Sequence, residues 1–121
     1  MQLKQVVVSG LLFLMFDSIY LYTISDFFNK VIKEVQGEKI QMNLIGAIFS
    51  YIFLIFGLNY FILDQRKSLK EAFLYGFVMY GVYETTNYAL LKKWSPLAVL
   101  LDTFWGGCLY LLSTYFTRRI L

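Results

Sequence analysis

The sequence contains no histidine, and it has only one cysteine and one proline. Without histidine it lacks the commonest general base, the commonest haem ligand and the usual ligand of transition metals. Cys108 has no partner for an internal disulfide, and its position in an apolar segment predicts a small helix residue rather than a reactive thiolate. No lysine lies deep in an apolar segment, which excludes a retinal Schiff base. Neither haem nor retinal is expected, and the sequence assigns no other cofactor.

The composition points to a membrane protein. The 121 residues are 59% hydrophobic and 20% aromatic, with a mean hydropathy of +0.59, which is too apolar for a soluble domain of this size. The net charge is +3, but the basic residues flank apolar segments and form no stripe, so they indicate topology rather than nucleic-acid binding. We predict a single multi-pass domain, 1–121, in a lipid bilayer.

Four segments have the length and apolarity of membrane spans. They cover about 3–24, 43–63, 70–91 and 97–116, and no small-residue cleavage site follows the first, which is therefore expected to be retained. Ser68 and Glu71 form a capping box before the third segment, and Ser95 with Pro96 begins the fourth. The predicted fold is an all-α integral membrane protein, an antiparallel four-helix transmembrane bundle.

The segment 26–36 between the first two spans has an amphipathic pattern. Ser25 or Asp26 is suited to cap its start, and Gly37 to end it. The pattern predicts a short interfacial helix after the first span, lying in the membrane surface. The alternative is an ordinary loop helix packed on the bundle.

The basic residues favour one orientation by a narrow margin. Six lie on the side of the termini: Lys4, Arg66, Lys67, Lys70, Arg118 and Arg119. Five lie on the other side: Lys30, Lys33, Lys39, Lys92 and Lys93. The first set lies closer to the spans, so the positive-inside rule places both termini in the cytosol.

Three carboxyl groups interrupt the apolar segments: Asp17, Glu84 and Asp102. A charge at the centre of a membrane helix costs roughly 2.5 to 3.5 kcal/mol on insertion scales. Counted from the nearest span ends at 1.5 Å per residue, all three lie in the same half of the membrane, opposite the termini. No basic residue lies at their depth. We therefore expect one acidic layer that is protonated, binds a cation through oxygen ligands, or lines a wet cavity that binds a small solute.

Helical spacing predicts the neighbours of these acids. The side chains expected to donate hydrogen bonds in the layer are Tyr80, Tyr83, Thr86, Asn87 and Trp105. Asn59 lies near the other end of its span and is expected to hold helices together. A protonated acid bonded to a neighbouring polar group can do the same, so the layer is either a ligand-binding site or a polar core.

Three stretches of the chain resemble a known family, namely Y-G-V-Y-E-T-T-N at 80–87, W-S-P at 94–96 and L-D-T-F-W-G at 101–106. They are similar to the patterns Y-D-L-T-N, G-W and D-x-x-W-G of the small four-span membrane family catalogued as domain of unknown function 2177. Asp17 with Tyr20 and Leu21, and the aromatic run at 51–57, match it too, so the resemblance covers essentially the whole chain. Glu84 stands where the family has aspartate, which weakens a strict metal-site geometry. The resemblance implies a membrane fold and brings no activity.

Three functions are compatible with this sequence. The first is a small carrier or pore component that binds a proton, cation or small solute at the acidic layer. The second is a non-catalytic scaffold or assembly protein, whose polar layer holds the bundle or a homo-oligomer together. The third is a lipid-acting intramembrane enzyme that uses Glu84 and Asp102 as an acid/base pair, for which no nucleophile motif is present.

Overall fold

A computed structural model describes residues 1–37 and 43–121 of the chain. The described residues form four helices and no strand, which confirms the all-α fold class. The helices are α1 (Leu3–Gln36), α2 (Leu44–Gly57), α3 (Leu69–Leu90) and α4 (Pro96–Ile120), and a π-helical segment, Leu58–Leu63, continues α2.

Three of the described helices are long and apolar enough to cross a membrane: α1, the continuous helix Leu44–Leu63, and α4. They correspond to the spans predicted at 3–24, 43–63 and 97–116, with the second helix beginning one residue later than predicted. Helix α3 has 22 residues, which suffices for a crossing, but its polar content keeps it outside this set. The fourth span at 70–91 stays a prediction. Lys39, which contributed to the predicted orientation, lies outside the described residues.

The outer surface of the bundle is apolar. On α2 the side chains of Ile45, Phe49 and Phe53 are 69%, 55% and 70% exposed. Monomeric soluble proteins rarely expose contiguous apolar patches of this kind. In a bilayer these side chains would meet acyl chains instead of water.

The predicted helix starts are confirmed at Ser68 and Ser95. The Ser68 hydroxyl accepts a hydrogen bond from the Glu71 amide at 3.1 Å, and that of Ser95 accepts one from the Ala98 amide at 3.3 Å. Pro96 occupies the first turn of α4, where its missing N–H is of no consequence. These caps satisfy amides that have no partner within the helix.

The separate interfacial helix predicted at 26–36 is wrong, because α1 runs without a break through 34 residues to Gln36. Ser25 does not cap a new helix, since its hydroxyl donates to the Tyr22 carbonyl within α1. The predicted end is confirmed: Gly37 has φ 81° and donates its amide to the Lys33 carbonyl. At 1.5 Å per residue α1 is about 51 Å long, which exceeds the roughly 30 Å hydrocarbon core.

The last part of α1 packs on the bundle rather than standing apart from it. Val31 is 5% exposed and forms a small apolar cluster with Trp94 and Ala98. The partly buried side chains around this cluster are Phe27, Phe28, Ile32, Val35 and Val99. The structure therefore agrees with the alternative, a loop helix packed on the bundle, in its packing but not in its being a separate helix.

Helices α3 and α4 make the closest approach in the bundle. A Cβ atom added at Gly76 would lie 2.1 Å from the Gly106 carbonyl oxygen, and one at Gly106 would lie 2.3 Å from the Tyr80 ring. A Cβ at Gly107 would lie 2.7 Å from the Phe73 ring. Small residues of this kind let membrane helices pack backbone to backbone. The pairing is antiparallel, and it brings the second half of α3 beside the first half of α4.

Side-chain hydrogen bonds stabilise the π-helical segment. Amides in a π-helix bond to carbonyls five residues back instead of four. At the start of this segment the Leu58 amide donates to both the Leu54 and the Ile55 carbonyls, and side chains add further donors to each. The Tyr110 hydroxyl donates to the Leu54 carbonyl and the Asn59 amide group to the Ile55 carbonyl, each at 2.9 Å. Asn59 also donates to the Ser9 hydroxyl at 2.9 Å, so its predicted role in joining helices is confirmed.

Candidate functional site

Asp17 is hydrogen-bonded on both carboxyl oxygens. Its Oδ2 atom accepts a bond from the Tyr51 hydroxyl of α2 at 2.5 Å, and its Oδ1 atom accepts one from the Trp105 indole of α4 at 3.0 Å. The residue is 7% exposed. One carboxyl group of α1 thus joins α2 and α4 through neutral donors.

Asp102 lies on α4, about one helical turn before Trp105. Its Oδ1 atom accepts a hydrogen bond from the Tyr20 hydroxyl of α1 at 2.7 Å. The Tyr20 ring stacks on Trp105, with centroids 4.6 Å apart and an interplanar angle of 9°. This stacked pair connects the Asp17 and Asp102 carboxyl groups through two aromatic donors.

Glu84 of α3 is fully buried, and only one of its two carboxyl oxygens accepts a hydrogen bond from a donor in the described residues. Its Oε1 atom accepts a hydrogen bond from the Trp94 indole at 3.2 Å. Its Oε2 atom is buried and has no donor within reach among the described residues. The Asp102 carboxyl lies close enough to form a hydrogen bond with Glu84 if one of the two groups carries a proton. The two acids form a pair, named here the Glu84–Asp102 pair.

Trp94 separates the Glu84–Asp102 pair from an open cleft. The cleft has a volume of about 650 Å³ and lies at the loop between α3 and α4, where its lining includes Lys92, Lys93, Trp94 and Pro96. Trp94 is 6% exposed. The end of α3 at Leu90 and the reversal of the chain place the indole between Glu84 and the surface.

The structure places the other predicted site residues differently. The Tyr80 ring packs against Gly106, close to Asp17 and Asp102, and its hydroxyl makes no hydrogen bond within the described ranges. Asn87 is partly buried near Glu84 but contributes only its backbone carbonyl, which accepts from the Leu91 amide.

Tyr83 and Thr86 do not belong to the polar core. Tyr83 is 61% exposed and Thr86 is also exposed, so the prediction that they donate to the acids is wrong. Consecutive helical residues differ by about 100° in direction. With Glu84 at the centre of the buried face, Tyr83 turns outward.

Three donors are not among the predicted site residues: Tyr20, Tyr51 and Trp94. Helical spacing places Tyr20 on the same face as Asp17, but its bond goes to Asp102 on another helix. Tyr51 belongs to another helix and carries no local signal. Trp94 was identified from the sequence only as part of the W-S-P motif, and only the fold of the loop reveals its bond to Glu84.

No positive charge compensates the acids within the described residues. The two ion pairs found there join the Met1 amino group to Asp64 and Lys67 to Glu71, both at the opposite end of the bundle. No group of three His, Cys, Asp or Glu side chains in this part of the chain is arranged to hold a metal ion. The acids are therefore surrounded by neutral hydrogen-bond donors and by each other.

Comparison with known proteins identifies the family and nothing more specific. No curated protein and no solved structure matches the chain. The family model described as "Predicted membrane protein (DUF2177)" matches residues 2–118. This match covers nearly the whole chain, in agreement with the motifs at 80–87 and 101–106. The chain belongs to the DUF2177 family of predicted membrane proteins.

Proposed function

We propose that the protein is a small membrane carrier or pore component in which the Glu84–Asp102 pair binds and releases a proton. The observation that carries this proposal is the Oε2 atom of Glu84, which is buried next to a second carboxyl and has no donor among the residues that the structure describes. Two carboxyl groups in contact inside an apolar environment do not both stay ionised, because neither charge is solvated or paired.

The hydrogen bonds suggest where the proton resides. Each acid accepts one hydrogen bond from an aromatic donor, Asp102 from Tyr20 and Glu84 from Trp94 on its Oε1 atom. The two acids differ at the remaining oxygen of Glu84, because Oε2 is buried without a donor in the described part of the chain, and a proton there could be donated to Asp102. A single proton between the two groups then satisfies the buried oxygen and leaves one negative charge on the pair.

A proton fits this site better than a metal ion does. Hard cations such as Ca²⁺ take six to eight oxygen ligands, and Mg²⁺ takes six. The pair offers two carboxyl groups, and the described residues contain no group of three His, Cys, Asp or Glu side chains that could hold a metal ion. The cleft at the loop between α3 and α4 offers a route for the proton, with Trp94 between that cleft and Glu84.

Infrared spectroscopy tests for the proton directly. The full chain, reconstituted in vesicles, should show the C=O stretch of a protonated carboxylic acid that disappears in Glu84→Gln. The matched control is Glu71→Gln, because Glu71 is exposed and paired with Lys67. If the band persists in Glu84→Gln, the pair does not hold the proton.

A flux assay tests the carrier role. Vesicles loaded with a pH-sensitive dye should acidify faster with the wild-type protein than with the folded double variant Glu84→Gln, Asp102→Asn. Equal rates in the two preparations would exclude proton transport by this pair.

The second candidate function is a scaffold, and Asp17 is the observation that favours it. Both of its oxygens are occupied by donors from other helices, as expected of a residue that holds a bundle together. For a pure scaffold, Asp17→Asn would lower thermal stability or change the oligomeric state in detergent, and no acid variant would alter flux.

A further inference from the structure

A polar cleft lies at the end of the bundle that carries both termini, opposite the Glu84–Asp102 pair. It has a volume of about 520 Å³ and is lined by Gln5, Leu63, Arg66, Thr117, Arg118 and Leu121. The contacts of Asp17 with Trp105 and of Tyr20 with Asp102 set an antiparallel register that places Gln5 level with Thr117. The cleft therefore lies between the start of α1, the end of α4 and the loop after the π-helical segment.

Arg66 is held in this cleft by an unusual backbone conformation. Its φ is 53°, in the left-handed region that favours glycine. The Arg66 amide bonds to the Leu63 carbonyl and the Lys67 amide to the Ile62 carbonyl, which is the Schellman pattern at a helix end. Glycine is the usual residue there, and a non-glycine residue costs roughly 1 to 2 kcal/mol. The Arg66 side chain makes no hydrogen bond or ion pair within the described residues, so no polar contact there offsets this conformational cost.

The second arginine is fixed in place. An Nη atom of Arg118 donates to the Lys67 carbonyl, which holds the guanidinium at the cleft and leaves other N–H groups free. The nearby acids are already occupied. Asp64 pairs with the Met1 amino group and accepts from Gln5, and Glu71 pairs with Lys67.

Thr117 supplies the observation that points to a ligand. It is 1% exposed and has a buried hydroxyl without a hydrogen-bond partner in the described part of the chain. The hydroxyls of Ser113 and Thr114 on the same helix are in the same state, but of the three residues only Thr117 lines the cleft. A buried polar group that lacks a partner costs stability, so it calls for an explanation. Arg66, Arg118 and Thr117 thus line the same cleft.

We propose that this cleft binds the phosphate of an anionic phospholipid headgroup. An arginine side chain matches phosphate geometry with two parallel N–H donors. The Thr117 hydroxyl would supply a further donor from the floor of the cleft. A lipid fits better than a free anion because Leu63 and Leu121 complete the lining and apolar helix surface continues from it. Basic clusters beside membrane spans attract anionic lipids in the same way.

The variant Arg66→Gly tests this proposal without endangering the fold, because glycine suits the left-handed position better than arginine does. The full chain in detergent would be titrated with phosphatidylglycerol or phosphatidylcholine and the bound lipid counted by native mass spectrometry. The wild type should prefer phosphatidylglycerol. Arg66→Gly should lose about tenfold in affinity for it or more, which corresponds to 1.4 kcal/mol, at unchanged or higher thermal stability. Thr117→Val should weaken the same binding while keeping the side-chain volume.

Lys93→Gly is the matched control. Lys93 has φ 65° and is also a basic residue in the left-handed region, but it lies at the other end of the bundle. This variant should keep the phosphatidylglycerol preference. The proposal is overturned if Arg66→Gly binds the lipid like the wild type, or if Lys93→Gly loses the preference to the same extent. Displacement of the lipid by equimolar inorganic phosphate would also overturn it, since the site would then recognise free phosphate.

Discussion

The substitution Gly76→Ala should destabilise the bundle strongly. The new methyl group would lie 2.1 Å from the Gly106 carbonyl oxygen and 2.7 Å from Cδ1 of Tyr110. Ordinary carbon–oxygen contacts between helices are about 3.3 to 3.6 Å, so α3 and α4 must separate by about 1 Å. The obstacle is backbone, which cannot rotate away. Overpacking of this kind costs typically about 1 to 3 kcal/mol, and more when the backbone must move.

Gly81→Ala is the matched control on the same helix. A methyl group there would meet its nearest neighbour, Cγ2 of Thr103, at 3.4 Å, which is an ordinary contact. Alanine is also a better helix former than glycine by roughly 0.5 to 1 kcal/mol. Gly81→Ala should therefore be neutral or stabilising, and the two variants should differ by about 2 kcal/mol or more.

Unfolding in mild detergent with increasing dodecyl sulfate, followed by tryptophan fluorescence, measures this difference. Trp94 and Trp105 are the two tryptophans and both bond to acids of the buried layer, so their emission also reports on that layer. The argument is refuted if Gly76→Ala proves as stable as Gly81→Ala, because the close approach of α3 and α4 would then not exist as described.

Two further predictions concern the ends and the irregular part of the helices. Tyr110→Phe should lower stability by about 0.6 to 1.7 kcal/mol, since it removes a side-chain donor to the Leu54 carbonyl. Tyr115→Phe, at a residue that is 39% exposed, should change little in the same unfolding assay. Ser68→Ala should cost about 1 kcal/mol through loss of the cap on the Glu71 amide. A cost in Tyr115→Phe equal to that in Tyr110→Phe, or none in Ser68→Ala, would contradict these assignments.

The sequence contained the local information about helix boundaries. Ser68, Ser95 and Gly37 act within one turn of their own helices, so their roles follow from short patterns. Ser25 shows the limit of such patterns. A serine hydroxyl can cap a helix or bond to a carbonyl of the preceding turn, and distant packing of Val31 on Trp94 decides between them.

The acidic layer was predictable, but its hydrogen-bond partners were not. Counting residues from span ends gives depth, and depth alone places Asp17, Glu84 and Asp102 near one another. The partner of each acid depends on helix rotation and on other helices. Tyr51 reaches Asp17 only because α1 and α2 pack at one particular register.

The π-helical segment had no sequence signal. Its residues, Leu58–Leu63, are ordinary apolar helix formers apart from Asn59. The wide turn is stabilised by donors to the Leu54 and Ile55 carbonyls, one of them from Tyr110, more than fifty residues away. Such a feature depends on tertiary contacts and becomes visible only with the fold.

Asp17 and Glu84 have the same chemistry in different surroundings, and one pair of variants separates their roles. Asp17→Asn replaces an acceptor by an amide N–H that would face a donor, Tyr51 or Trp105, and should cost about 1 to 3 kcal/mol. Glu84→Gln mimics a protonated carboxyl, because its oxygen can accept from Trp94 while its N–H₂ group donates to Asp102. It should leave stability unchanged or raise it. Measured in the same detergent, the reverse order would mean that Glu84 is ionised in the folded protein, which would contradict the proposed placement of the proton.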